Sequence, residues 1–276
     1  MAITAAAVNE LRKMTGAGMM DCKKALQESN GDFEAAIDFL RKKGQKISAN
    51  RADRDATEGA VIAKSSTDGT IGVVVRLSCE TDFVAKNDDF VALAEEIAEI
   101  ALSNQPADVE SLKALKIGDI SIGERMISEM GKIGEKIDVT KYATLKGDAV
   151  VSYIHAGNRI GVLVALNMEA DEAMKDAGRD VAMQIAAMNP VSVDENDISQ
   201  EMKDREMEIG REQARAEGKP DQMIDKIAEG KLKRFYKDNT LTMQSFVKDP
   251  SLTVAQMLNG VKDGLKVVGF SRIALG

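Results

Sequence analysis

The chain has 276 residues, 44% of them hydrophobic and 30% charged, and a formal net charge of −8; that size supports about two domains with room for a small appendage. No apolar run approaches the ~18 residues of a membrane span, and the acidic balance repels a phosphate backbone over most of the surface, so neither membrane nor nucleic acid is an expected partner. Cys22 and Cys79 are the only cysteines and lack metal-ligand spacing, which together with an N-terminus (Met1-Ala2-Ile3-Thr4) without a basic region and apolar stretch predicts reduced thiols in the cytoplasm.

Residues 1–45 read as three short helices, with Val8, Leu11 and Met14, then Met19, Met20, Ala25 and Leu26, then Phe33, Ala36, Ile37 and Leu40 at helical spacing. Thr15-Gly16-Ala17-Gly18 and Asn30-Gly31-Asp32 separate them, and Asp32 can cap the third. Residues 1–54 hold ten Lys and Arg against seven Asp and Glu, a balance of +3 that leaves −11 for the rest. Such asymmetry suits docking on an acidic protein patch and equally an ordinary solvated face. Residues 46–57 have few large apolar side chains and read as a partly helical linker.

From residue 58 the chain repeats itself. Thr70-Ile-Gly-Val-Val-Val-Arg-Leu77 lies over Arg159-Ile-Gly-Val-Leu-Val-Ala-Leu166, and Glu58-Gly59-Ala60-Val61-Ile62 answers Lys146 to Val151. The turn signals Asp68-Gly69 and Gly157-Asn158 make each pair a hairpin. Each hairpin is followed by a helix that a proline stops, at Pro106 and Pro190, and each half closes on another strand, Lys136 to Leu145 and Lys266 to Leu275. A three-stranded sheet needs a covered face, which the helix of its own half can supply.

Two segments have no counterpart in the other half. Glu80-Thr81-Asp82-Phe83-Val84-Ala85-Lys86-Asn87 interrupts a strand-to-helix joint with an acid, an aromatic ring and no apolar period. Such joints display binding groups; taken alone, Asp82 also fits a helix cap and Phe83 a core position. Between Pro190 and Pro250, Ile198, Met202, Ile209 and Ala216, then Ile224, Ile227, Ala228, Leu232 and Phe235, form two thin seams broken by Gly218-Lys219-Pro220, which predicts an antiparallel helical hairpin at about 194–238. The reading is an α+β chain: a three-helix module at 1–45, a linker at 46–57, two repeated subdomains of a three-stranded antiparallel sheet plus helix at 58–145 and 146–276, and a protruding helical hairpin in the second.

Chemistry is sparse. There is no Gly-x-x-x-x-Gly-Lys-Ser/Thr loop, no Gly-x-Ser-x-Gly elbow and a single histidine, His155, which excludes the usual nucleotide-hydrolysing loop, the nucleophile elbow and His-rich metal sites. Cys22 beside Lys23 and Lys24 fits a small buried thiol or, as a rival, a reactive one. His155 ends a strand beside a turn, where it serves a structural hydrogen bond or a contact. No cofactor, metal or catalytic residue is expected.

Leu11-Arg12-Lys13-Met14-Thr15-Gly16-Ala17-Gly18-Met19-Met20-Asp21-Cys22-Lys23-Lys24-Ala25-Leu26, together with Thr81-Asp82-Phe83-Val84, resembles the bacterial elongation factor Ts family. The resemblance covers nearly the whole chain, and the doubled sheet, the helical hairpin and Tyr153-Ile154-His155 follow the family's order. It implies a guanine nucleotide exchange factor that is not an enzyme, acts on elongation factor Tu in its GDP-bound or nucleotide-free form, and binds no nucleotide itself. It also implies a ubiquitin-associated-like N-terminal module and a coiled-coil hairpin, and leaves open whether two copies pair.

By the same resemblance Thr81, Asp82, Phe83 and Val84 meet the partner's GTPase domain near its magnesium site, Phe83 as a wedge. Arg12, Met19, Met20 and Lys23, and Ile133 with Gly134, join that contact, and His155 meets a different partner domain. Magnesium neutralises phosphate charge, so its displacement loosens GDP. The glycine turn and acidic helix with which many members continue have no counterpart after Arg272-Ile273-Ala274-Leu275-Gly276, and any contact they make is expected to be missing. A rival reading is an adaptor whose three-helix module binds ubiquitin-like or acidic peptides; in it Phe83 only fills a core.

Overall fold

The computed structural model describes residues 3–276; Met1 and Ala2, part of the stretch read for an export signal, lie outside the described residues. The chain is mixed helix and sheet and divides into two compact units. One comprises the chain up to Ile62 with Val75–Ala143 and Ala274–Gly276; the other comprises Ala63–Val74 and Thr144–Ile273.

The first unit opens with α1 (Ala5–Thr15), α2 (Met19–Glu28) and α3 (Phe33–Arg51). Thr4 and Asp32 cap α1 and α3 by accepting the amides of Ala7 and Ala35, and Gly16 stops α1 in the left-handed region. Val8, Leu11, Cys22, Ala25, Leu26 and Ala36 form their core. Met14, Met19 and Met20, which share the apolar period, are exposed instead.

The expected linker is helical as far as Arg51, two turns beyond the predicted end of the third helix. The reason lies in backbone rather than side-chain packing. A Cβ on Gly44 would stand 2.8 Å from the Ile127 carbonyl oxygen, and one on Gly131 3.1 Å from the Gly44 Cα. The crossing of α3 with the later helix bearing those residues therefore buries main chain, which leaves no apolar period to read.

Next come β1 (Glu58–Ser65), β2 (Ile71–Cys79), the single turn α4 (Asp82–Ala85), α5 (Asp88–Asn104), α6 (Val109–Ala114), a two-residue ladder of β3 (Lys116–Ile117) with β4 (Ile120–Ser121), α7 (Ile122–Ile133) and β5 (Asp138–Lys146). The sheet order is β1-β2-β5. Phe90, Leu93, Ala94, Ile97 and Ala101 are the buried stripe of α5, as their spacing predicts.

The second unit carries β6 (Ala149–His155), β7 (Ile160–Leu166) and α8 (Glu172–Met188). Val162, Val164 and Leu166 of β7 pack with Val181, Ala182 and Ile185 of α8. Helices α9 (Gln200–Ala216) and α10 (Asp221–Asn239) make the hairpin, followed by a small ladder of β8 (Ser245–Phe246) and β9 (Asp249–Thr253), then α11 (Val254–Val261) and β10 (Val267–Ala274). The order β10-β7-β6 again puts the second strand of the hairpin in the centre. The hairpin seam has Ile224 and Ala228 in its second arm as expected and differs in its first. Gly210, Ala214, Ile224 and Ala228 are buried, whereas Met202 and Ala216 are exposed. A Cβ on Gly210 would meet the Ala228 Cα at 3.0 Å, so small residues let the two backbones approach.

Candidate protein-binding site

The turn after β2 is built by caps. Thr81 is extended and its hydroxyl accepts the Val84 amide at 3.5 Å, so Thr81, not Asp82, starts α4. Asn87 repeats the device for α5 by accepting the Asp89 amide at 2.8 Å. Between these caps no residue of α4 is fully buried, Val84 and Ala85 are half-buried, and Phe83 is 83% exposed. The core-filling alternative for Phe83 is therefore wrong. Asp82 pairs with Lys86 one turn on at 2.6 Å, and that ammonium is the main reason its carboxyl lies below the usual range.

Two carboxylates hold this turn to the loop between α7 and β5. Glu135 accepts the Thr81 amide at 3.0 Å and the Thr81 hydroxyl at 2.7 Å. Glu80 accepts the Lys136 amide at 2.6 Å, Arg51 Nη1 at 2.5 Å and Arg54 Nη1 at 3.0 Å. Burial alone would raise the Glu80 carboxyl, but these donors outweigh it and hold the group at about 2. The same loop displays Ile133, 41% exposed, and ends α7 at Gly134, whose φ of 81° is the left-handed cap that glycine favours. The first unit thus brings Thr81, Asp82, Phe83 and Val84 to a turn braced directly against the loop of Ile133 and Gly134.

Arg12 lies in the last turn of α1, and Met19, Met20 and Lys23 in the first turns of α2. All four are exposed, Met19 by 53% and Met20 by 72%. Two flexible thioether chains and two cations on one helical corner make an adaptable surface for a protein carrying acidic groups.

His155 belongs to the second unit. It pairs with Ile160 where β6 turns into β7, is exposed, and its Nδ1 lies 2.8 Å from the Tyr153 hydroxyl. Ala156, Gly157 and Asn158 all take positive φ in that turn, so the strained run begins one residue before the glycine that signals it.

The thiols are packing groups. Cys22 is buried with its sulfur 3.5 Å from the Ala17 carbonyl oxygen. Burial pushes Cys79 up to about 12, with the Glu135 and Glu58 charges adding to it. Among the described residues no group of three or more His, Cys, Asp or Glu is placed to hold a metal ion, and no helix is long and apolar enough to cross a membrane.

Sequence reasoning missed Glu80, Glu135, Arg51 and Arg54 as structural partners of the turn. Gly134 was a legible helix stop, but nothing local reports a pairing between residues some 55 positions apart.

Comparison with known proteins gives one answer. Residues 80–276 match the family model described as elongation factor TS. The elongation factor Ts of Cytophaga hutchinsonii is 54% identical over 274 residues, covering 99% of each chain. That of Christiangramia forsetii is also 54% identical with 99% of each chain covered, and that of Amoebophilus asiaticus is 51% identical over 276 residues, covering 100% of each.

Proposed function

The chain belongs to the elongation factor Ts family, and from its place in translation elongation we propose that it is a guanine nucleotide exchange factor for elongation factor Tu. It binds the GDP-bound partner, displaces the magnesium ion and leaves the nucleotide site open for GTP. No covalent bond changes, so the chain is a binding protein rather than an enzyme, and it acts in the cytoplasm. Thr81, Asp82, Phe83 and Val84 carry the displacement. Arg12, Met19, Met20 and Lys23 hold the GTPase domain from the three-helix, ubiquitin-associated-like module at 1–45. Ile133 and Gly134 extend the wedge contact, and His155 anchors a second partner domain from the later of two repeated subdomains.

The observation that carries the reading is the exposed Phe83 on a capped and braced turn. An apolar ring held in water at 83% exposure contributes little to folding, whereas aromatic anchors that fill a partner's pocket dominate association energies. Ile133 is likewise exposed, at the start of the loop braced against that turn. Magnesium offsets the charge of the bound phosphates, so a side chain that removes its coordination loosens GDP without touching GDP.

The test is release of fluorescent GDP from purified elongation factor Tu in magnesium buffer, with and without the chain. Acceleration that saturates with added chain is the expected result; an unchanged release rate rejects the exchange reading for this partner.

A further inference from the structure

Glu80 and Glu135 stand at the roots of the two loops and bind across them reciprocally. Glu135 takes the amide and hydroxyl of Thr81, the residue after Glu80; Glu80 takes the amide of Lys136, the residue after Glu135. The end of α3 is tied into the same knot. Arg51 and Arg54 reach Glu80, while the Lys136 ammonium donates to the carbonyl oxygens of Ala52 at 2.6 Å and Arg54 at 2.9 Å.

This arrangement solves a problem that α4 cannot solve alone. A four-residue helix with no fully buried side chain is far below the length at which helix is stable in water. Its direction must be imposed at its cap. Thr81 does so with one hydroxyl, which accepts the Val84 amide while donating to Glu135. Hydrogen bonds to ionised carboxylates are the short, strong kind suited to fixing a backbone.

We propose that Glu135 and Glu80 are positioning residues that pre-order the Phe83 turn and the Ile133 loop as one rigid edge, joined to α3, so that docking meets a competent surface. The proposal rests on the exchange reading for its docking half. Neither carboxylate has to touch the partner, since their oxygens are occupied by the chain's own donors. A surface that is competent only part of the time binds with an affinity reduced by that fraction. Loss of the brace therefore acts on the concentration needed rather than on what the wedge does once seated.

The experiment uses the full chain as wild type, Glu135→Ala, Glu135→Gln and Glu80→Gln, with two readouts. The first is hydrogen exchange of the Thr81 and Lys136 amides in the free chain. The second is the dependence of GDP release from elongation factor Tu on chain concentration. For Glu135→Ala, protection of the Thr81 amide falls about tenfold or more, the half-saturating concentration rises about tenfold or more, and the saturating release rate stays within about twofold. Glu135→Gln, which keeps the shape and one acceptor oxygen, lies between and decides the matter if the alanine chain does not fold. Glu80→Gln deprotects the Lys136 amide and raises the half-saturating concentration in the same way. A merely structural role raises the half-saturating concentration only by the inverse of the folded fraction, so a variant that urea denaturation shows to be almost wholly folded would then show no tenfold shift.

With an active wild type, the proposal is overturned if the Thr81 amide keeps its protection in both Glu135 variants, or loses it while half-saturation stays unchanged. A wild type that leaves GDP release unaltered overturns the exchange reading and the docking half together, and the amide exchange then decides the brace alone.

Discussion

Phe83→Ala separates a binding ring from a core ring by magnitude. Phe83 is 83% exposed, so only about one sixth of the ~200 Å² that a phenylalanine can bury is covered in the free chain. Removing that contact, about 35 Å², costs about 1 kcal/mol at ~25 cal/mol/Å². Alanine's higher helix propensity returns about 0.5 kcal/mol, leaving a stability change near that of an ordinary surface substitution, about 0.5 kcal/mol. A buried phenylalanine truncated to alanine loses about 3–5 kcal/mol. If the ring seats fully in the partner as proposed, the remaining ~165 Å² becomes buried and is worth about 4 kcal/mol, which is roughly a thousandfold in affinity. The assays are urea denaturation of the free chain and acceleration of GDP release from elongation factor Tu. The expected pair of results is an almost unchanged urea midpoint and a loss of most of the acceleration. A variant that unfolds several kcal/mol more easily, or accelerates release as well as the wild type, would refute the reasoning.

Acid should loosen the braced turn in a defined window. The Glu80 carboxyl is held at about 2 in the folded chain against an ordinary 4.5, so its contribution is fully present above 4.5 and fades as pH falls from 4.5 towards 2. Urea midpoints of wild type and Glu80→Gln should therefore converge over that interval and stay apart at pH 7. Gly59→Ala should be among the most damaging small changes. Gly59 has φ of 146° and an added Cβ would stand 2.0 Å from the Leu77 carbonyl oxygen, so a loss of about 3 kcal/mol is expected in urea denaturation. Arg76, 6% exposed, donates to Ser78 and to the carbonyl oxygens of Ala274, Ala56 and Thr57. Arg76→Met strands those acceptors and should cost about 3 kcal/mol, with Arg76→Lys retaining part of it, as read from urea midpoints.

The doubled hairpins were legible because their signals are local. Hydrophobic runs of strand length, Asp68-Gly69 and Gly157 at the turns, and prolines after each helix need no knowledge of the rest of the chain. The structure ends α5 and α8 in the same way, with Gln105 and Asn189 in the left-handed region immediately before Pro106 and Pro190. What escaped was held by distant partners. How far helix α3 runs into the partly helical linker was not legible, and its close approach to α7 is made by Gly44 and Gly131. The first arm of the hairpin seam is made by Gly210 and Ala214, residues that an apolar-period reading gives little weight. Arg76 sits inside a run that reads as plain apolar strand. In the candidate site, Phe83 stood out by its place at a joint. Its exposure, and the crossed carboxylates that aim it, follow only from tertiary pairing.

The exposure of Phe83 also bounds what the wedge can do. If the chain weakens GDP binding by some factor, GDP weakens binding of the chain by the same factor. Burial of the ring supplies at most about 4 kcal/mol of that coupling. One local obstacle stands in its way, the Asp82 to Lys86 ion pair at 2.6 Å, whose members are 49% and 76% exposed. A solvent-exposed pair of this kind contributes little and is screened by water and salt. Freeing Asp82 for the partner therefore subtracts little from the ring's contribution, and salt should change docking far less through this pair than through the cationic corner of Arg12 and Lys23, where long-range attraction to an acidic surface is screened directly.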